Sequence, residues 1–204
     1  MSEDDDYHVV ASKRMFDGKL VKVRRDDVRM TDGKVVLREV IEHPGAVGVV
    51  ALDDDGNVLL VNQYRHAVRA RLDELPAGLL DVGKESALQA AQRELAEEAG
   101  MAARKWDVLV DLYPSPGISN EAIRIFLARD LHKVSPIDGF EPEDEEATMT
   151  VSREPLPDAV RRIFAGRITN AAAVAGILAV VHGRATGWRG LRPATAPWVA
   201  RAGR

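Results

Sequence analysis

Between residues 9 and 42 apolar and polar positions alternate, as in Lys19-Leu20-Val21-Lys22-Val23-Arg24 and Lys34-Val35-Val36-Leu37-Arg38-Glu39-Val40, on either side of a Thr31-Asp32-Gly33 turn. A period of two sends successive side chains to opposite faces of a strand, so the pattern predicts a small antiparallel sheet. So short a segment cannot bury a core of its own and is expected to pack on the rest of the chain or on a second copy. His43-Pro44-Gly45 breaks the pattern and is taken as a boundary. Ala46 to Leu52 and Val58 to Tyr64 are then almost continuously apolar around Asp53-Asp54-Asp55-Gly56-Asn57, which reads as a hairpin of buried strands.

The period changes after Ser86. Ser86 with Gln89 three residues on forms a capping box, and Gly100 stands where a helix closes in the left-handed conformation, so a helix is predicted up to Ala99. Trp106 to Leu112 and Ile123 to Leu127 read as strands flanking a loop, Tyr113 to Asn120, that is rich in turn formers. A second loop, Ser135 to Glu146, precedes a strand near Thr148 to Val151 and helices at about 156–165 and 170–182. The tail from Gly183 has five Arg, two Pro and no acid and is expected to be irregular. The expected division is a strand-rich segment 1–43, a main domain 44–182 and a basic tail 183–204.

Composition narrows the function classes. Of 204 residues 46% are hydrophobic and 29% charged, with a net charge of -4, which fits a folded domain and argues against non-specific nucleic-acid binding. There is no cysteine, which excludes thiol catalysis, a disulfide scaffold and cysteine-held metals, and fits a reducing compartment. The acidic N-terminus is unlike a signal peptide, and no run reaches the roughly 20 apolar residues that span a bilayer. A cytoplasmic protein with neither a nucleic-acid nor a membrane partner is expected.

The chemistry is concentrated in the capped helix, which carries Arg93-Glu94-Leu95-Ala96-Glu97-Glu98-Ala99-Gly100 and is preceded by Glu85. On a helical wheel Glu94, Glu97 and Glu98 fall within an arc of about 100°, beside a core stripe of Leu88, Ala91, Leu95 and Ala99. A solvated acidic face is the ordinary meaning of such a pattern. Here Glu94 and Glu98 are like charges at i,i+4, and Glu97 and Glu98 sit in the last turn, where the helix dipole disfavours anions. A hard divalent cation with oxygen ligands would offset both penalties, and Mg²⁺ or Mn²⁺ is the natural candidate.

Glu85, seven residues, then Arg93 to Met101 resembles the Nudix box, G-x5-E-x7-R-E-U-x-E-E-x-G-U with U aliphatic. The first glycine of the box is matched by Gly78, with six residues rather than five before Glu85. The resemblance implies an α+β fold, an α/β/α sandwich with a mixed sheet, that hydrolyses a nucleoside diphosphate linked to another moiety with Mg²⁺ or Mn²⁺. It implies that Glu94 and Glu98 are metal ligands, that Glu97 ligates a metal or orients a metal-bound water, and that the main-chain carbonyl of Ala77 is a further ligand. Glu85 and Arg93 would brace the loop as an ion pair.

Outside the box, Ser115-Pro116-Gly117 with Glu121, Pro116 lying 16 residues after Gly100, is similar to the proline-bearing loop of ADP-ribose and ADP-sugar pyrophosphatases. Gln63-Tyr64-Arg65 and Glu74-Leu75-Pro76-Ala77-Gly78 are similar to segments of the same subgroup. What this implies is an ADP-ribose hydrolase acting as a homodimer through its N-terminal sheets, with Arg38, Arg65, Glu74, Leu79 and Pro116 contacting substrate. The general base of the subgroup lies in a mobile acidic loop, which aligns with Glu146 here, Glu145 and Glu143 being alternatives. The rivals are a broader ADP-sugar or dinucleotide pyrophosphatase and a regulator that binds ADP-ribose without cleaving it. His8, His43, His66, His132 and His182 lack metal-ligand spacing and carry no assigned role.

Overall fold

In the computed structural model, which describes residues 7–81, 83, 85–135 and 148–199, the first alternating segment forms an antiparallel sheet of β1 (His8–Asp17), β2 (Lys22–Arg29) and β3 (Val35–Glu42) in that order. Met30 and Lys34 close the β2–β3 turn by a 2.8 Å backbone bond, with Gly33 at a φ of 83°. The chain divides into two units. The first joins Met1–Gly45 to Tyr113–Glu121, and the second joins Ala46–Leu112 to Ala122–Arg204. Within the first unit the loop docks on β3: Ile41 donates to the Ile118 carbonyl at 2.8 Å, and the Asn120 side chain accepts from the His43 N–H at 2.9 Å. Asp26, buried in this sheet, accepts from Ser12 at 2.6 Å and from Arg24 at 2.8 Å, and these bonds hold its carboxyl below the usual range against the cost of burial.

The second unit is built around β4 (Ala46–Ala51), in which every residue is buried. Its alternate side chains feed two cores. Val47, Val49 and Ala51 meet α1 (Ala87–Ala99) through Ala90, Ala91 and Leu95, whereas Val50 belongs with α2 (Leu156–Phe164) and α3 (Ala171–Ala185) through Ala159, Ile177 and Val180. A strand buried on both faces between helical layers defines the sandwich. β4 pairs parallel with β9 (Ile123–Lys133) and antiparallel with β7 (Ala77–Leu79). β8 (Met101–Leu112) and the two-residue β11 (Arg192–Pro193) complete a mixed five-stranded sheet in the order β11-β8-β9-β4-β7. A second sheet has the order β10 (Thr150–Pro155), β5 (Asn57–Arg65), β6 (Ala70–Glu74).

Three expectations change. The two apolar runs from Ala46 do not make a hairpin: β4 and β5 belong to different sheets and share only the Leu52–Val58 bridge, because both edges of β4 are taken by β9 and β7. β8 and β9 are longer than their apolar stretches, since Met101 to Lys105 pair with Lys133 to Arg129. The tail is not irregular over its described part: Arg192–Pro193 pairs with the free edge of β8, Ala194 and Ala196 pack on the α1 side, and Trp188 lies under the Arg129 guanidinium at 4.6 Å. Among the described residues no helix is long and apolar enough to cross a membrane.

Candidate active site

The chemistry begins with how α1 is seated. Gln89 N–H donates to the Ser86 hydroxyl at 3.2 Å, and the Gln89 side chain accepts from the Ser86 N–H at 2.9 Å, which satisfies two of the free donors at the start of the helix. Gly100 ends it at a φ of 61°. Leu95 is fully buried and fixes the rotation of the helix about its axis. Glu94 and Glu98, expected at the edge of the apolar stripe, are instead 9% and 8% exposed and share the inner face with Ala90.

What admits two carboxylates there is the strand below. A Cβ built on Gly78 would stand 1.8 Å from Glu94 Oε1, so the glutamate occupies the space that any other residue at position 78 would fill. One residue earlier, the Ala77 N–H donates to Glu98 Oε2 at 2.9 Å. The glycine and its neighbour on β7 therefore seat the carboxylates of both Glu94 and Glu98.

Arg93 supplies the positive charge. Its Nε and Nη2 meet the two oxygens of Glu85 at 3.0 and 3.1 Å, and its Nη1 donates to Glu94 at 2.7 Å and Glu97 at 2.9 Å. The Glu85 fork, with the charges of Glu94 and Glu97, holds the guanidinium pKa above its ordinary value despite partial burial. A second fork joins Arg65 of β5 to the buried Glu74 of β6, with Nη2 to Oε2 at 2.7 Å and Nε to Oε1 at 3.0 Å.

Arg65, Ala77, Leu79, Arg93, Glu94 and Glu98 line one cleft of about 360 Å³ in the second unit. Gln63 and Asp81 line it too and had no assigned role. Gln63 lies inside the Gln63-Tyr64-Arg65 segment that carried the resemblance, and Asp81 lies in the loop with the extra residue. Glu85 and Glu97 touch the cleft through Arg93. Arg38 and Pro116 come together in a different cleft of about 550 Å³, within the first unit, beside Tyr113, Ile118 and Asn120. Glu146, with Glu143 and Glu145, lies outside the described residues.

A cleft floored by buried carboxylates and walled by guanidinium groups is suited to a polyanion and to the cations that accompany it. In agreement with this, residues 42–167 match the NUDIX domain, and the chain belongs to that family. It is 46% identical over 198 residues, 97% of this chain and 94% of the relative, to the ADP-ribose pyrophosphatase of Mycobacterium tuberculosis (strain ATCC 25618 / H37Rv). It is also 34% identical over 162 residues, 79% of this chain and 85% of the relative, to the ADP-ribose pyrophosphatase of Bacillus subtilis (strain 168). Its fold is that of a solved ADP compounds hydrolase, with a TM-score of 0.75 at 24% identity over 90% of this chain and 97% of that one.

The close approach of Gly78 to Glu94 sets a direct test. Gly78→Ala is expected to cost about 1–3 kcal/mol of stability in urea denaturation, as overpacking does, and much less when Glu94 is also Ala. An equal cost in both backgrounds would contradict the assigned contact.

Proposed function

We propose that this enzyme hydrolyses ADP-ribose to AMP and ribose 5-phosphate with Mg²⁺ or Mn²⁺. The observation that carries the reading is the gathering of three carboxylates, Glu85, Glu94 and Glu97, around Arg93, with Glu98 held by the Ala77 N–H in the same cleft. Water adds at a phosphorus of the pyrophosphate and the bond to the bridging oxygen breaks, so one proton must leave the water.

The donors suit a hard cation: Glu94, Glu98, Glu97 and the Ala77 carbonyl offer only oxygen, and two of the carboxylates are already buried where a positive charge would stabilise them. Among the described residues no three acidic or histidine groups yet converge on one point, and Arg93 lies between Glu94 and Glu97. When bound, divalent metal neutralises the pyrophosphate oxygens and acidifies water. The chain itself does the rest. Arg93, braced by Glu85, keeps the carboxylates from repelling one another apart. Arg65, oriented by Glu74, brings its positive charge to the cleft as a partner for a phosphate. Glu146 accepts the proton of the attacking water as general base. Arg38 and Pro116 contact the nucleotide.

The same reading makes the protein a homodimer. All ten residues of β1 are exposed, with Val9 at 59% and Phe16 at 56%, an apolar surface that a second copy would cover.

Two experiments test these proposals. AMP release from a panel of ADP-ribose, ADP-glucose, NADH and diadenosine polyphosphates should be highest with ADP-ribose, and Glu94→Gln, Glu98→Gln and Glu146→Gln should each lower kcat by about 10² or more. Preference for another member of the panel, or near wild-type turnover in the variants, contradicts the substrate or the residue roles respectively. Light scattering should give twice the 22.3 kDa chain mass for the wild type and one chain mass for Val9→Glu combined with Phe16→Glu. A wild-type monomer contradicts the dimer.

A further inference from the structure

The face of β5 that looks toward α1 begins apolar and ends polar. Leu59 packs in the α1 core, and Val61, Gln63 and Arg65 follow it at a spacing of two, so the four side chains stand in one row. Leu59 and Val61 are 1% and 0% exposed, and Gln63 at 4% is buried almost as deeply. A third apolar residue would complete the row at no electrostatic cost. A carboxamide brings two N–H donors and a carbonyl acceptor instead.

Among the described residues none of these is matched: the Gln63 side chain makes no hydrogen bond, while its neighbours are bonded, Asn62 to Asp73 at 2.9 Å and Arg65 to Glu74 at 2.7 Å. A buried amide without a partner costs folding free energy, so its presence here calls for a reason. Val61 pairs with Glu74, Gln63 with Leu72 and Arg65 with Ala70, so the Arg65 side chain must run back along the strand, over the Gln63–Leu72 pair, to reach Glu74. Its positive charge is thereby brought alongside Gln63, and both residues line the cleft that Glu94 and Glu98 share. An unmatched donor beside a fixed guanidinium is suited to the oxygens of an anion.

We propose that Gln63 is a substrate-contacting residue, whose carboxamide N–H donates to a phosphate oxygen of a nucleoside diphosphate held beside Arg65. This rests on the reading of the cleft as a pyrophosphate site. An uncharged donor suits the place: a lysine beside Arg65 would meet like charge, and a glutamate would add to the charge of Glu94 and Glu98 and repel the phosphate. The stability forgone in the free protein is recovered when substrate supplies the acceptor.

Thermal unfolding without substrate and steady-state kinetics test the contact. Gln63→Leu, similar in volume, should raise Tm by about 2–4 °C, because it removes an unmatched polar group, and should raise KM by about tenfold with little change in kcat. Gln63→Glu, which keeps the shape and replaces the donors with a charge, should raise KM at least as far. Mn²⁺ affinity, read from the free-ion electron paramagnetic resonance signal, should be unchanged in Gln63→Leu. A lower Tm for Gln63→Leu, an unchanged KM in either variant, or weakened Mn²⁺ binding in Gln63→Leu, which would assign the carboxamide to the cation, overturns the proposal. KM is measured with whichever pyrophosphate of the panel the wild type cleaves fastest. Failure of the ADP-ribose reading then shows as another preferred substrate, and failure of the Gln63 contact as a KM that the substitutions leave unchanged.

Discussion

The structure depends on the placing of Glu85, Glu94 and Glu97 around the Arg93 guanidinium, with Glu98 seated on the Ala77 N–H of β7. Glu94 and Glu98 are buried, and burying an anion costs several kcal/mol unless charge and hydrogen bonds compensate it. Compensation comes from Arg93 for Glu94 and from the Ala77 N–H for Glu98. Each requirement reaches further into the fold. Arg93 is held by Glu85, the Ala77 N–H is aimed by β7, and β7 is placed by its pairing with the doubly buried β4. The helix in turn cannot rotate, because Leu95 is locked in the core beneath it.

Gly78 shows how narrow the tolerance is. The strand passes so close to α1 that a methyl group at this position would stand where Glu94 Oε1 is. A sandwich assembled from apolar contacts alone would favour an alanine or larger residue in such a place, to fill the space against the helix. Here the space is filled by a carboxylate, and local stability is traded for a site with net negative charge.

Much of this is legible in the sequence. Both ends of α1 are written in local chemistry, the Ser86–Gln89 box and Gly100, and the geometry follows them. The first sheet follows its alternation because half-exposed strands carry a period of two. The pairing of Ala46–Ala51 was not legible, since a strand buried on both faces carries no alternation to name its neighbours. The burial of Glu94 and Glu98 was hidden for a related reason: a helical wheel locates a face, but only the strand opposite, with its missing Cβ, decides whether that face is wet. The order of the tail is not legible in the sequence because its anchor, Arg124, lies some seventy residues upstream, and nothing in an arginine-rich, proline-containing segment announces that its own carbonyls will be the acceptors.

The proposed function turns on Glu94 and Glu98 forming a cation site. Its most direct measurement is a titration with Mn²⁺, followed by the loss of the free-ion electron paramagnetic resonance signal without any substrate. The account predicts saturable binding that Mg²⁺ displaces and that Glu94→Gln and Glu98→Gln each weaken, because both remove an anionic oxygen donor. Absence of saturable binding, or binding that neither substitution alters, would contradict it.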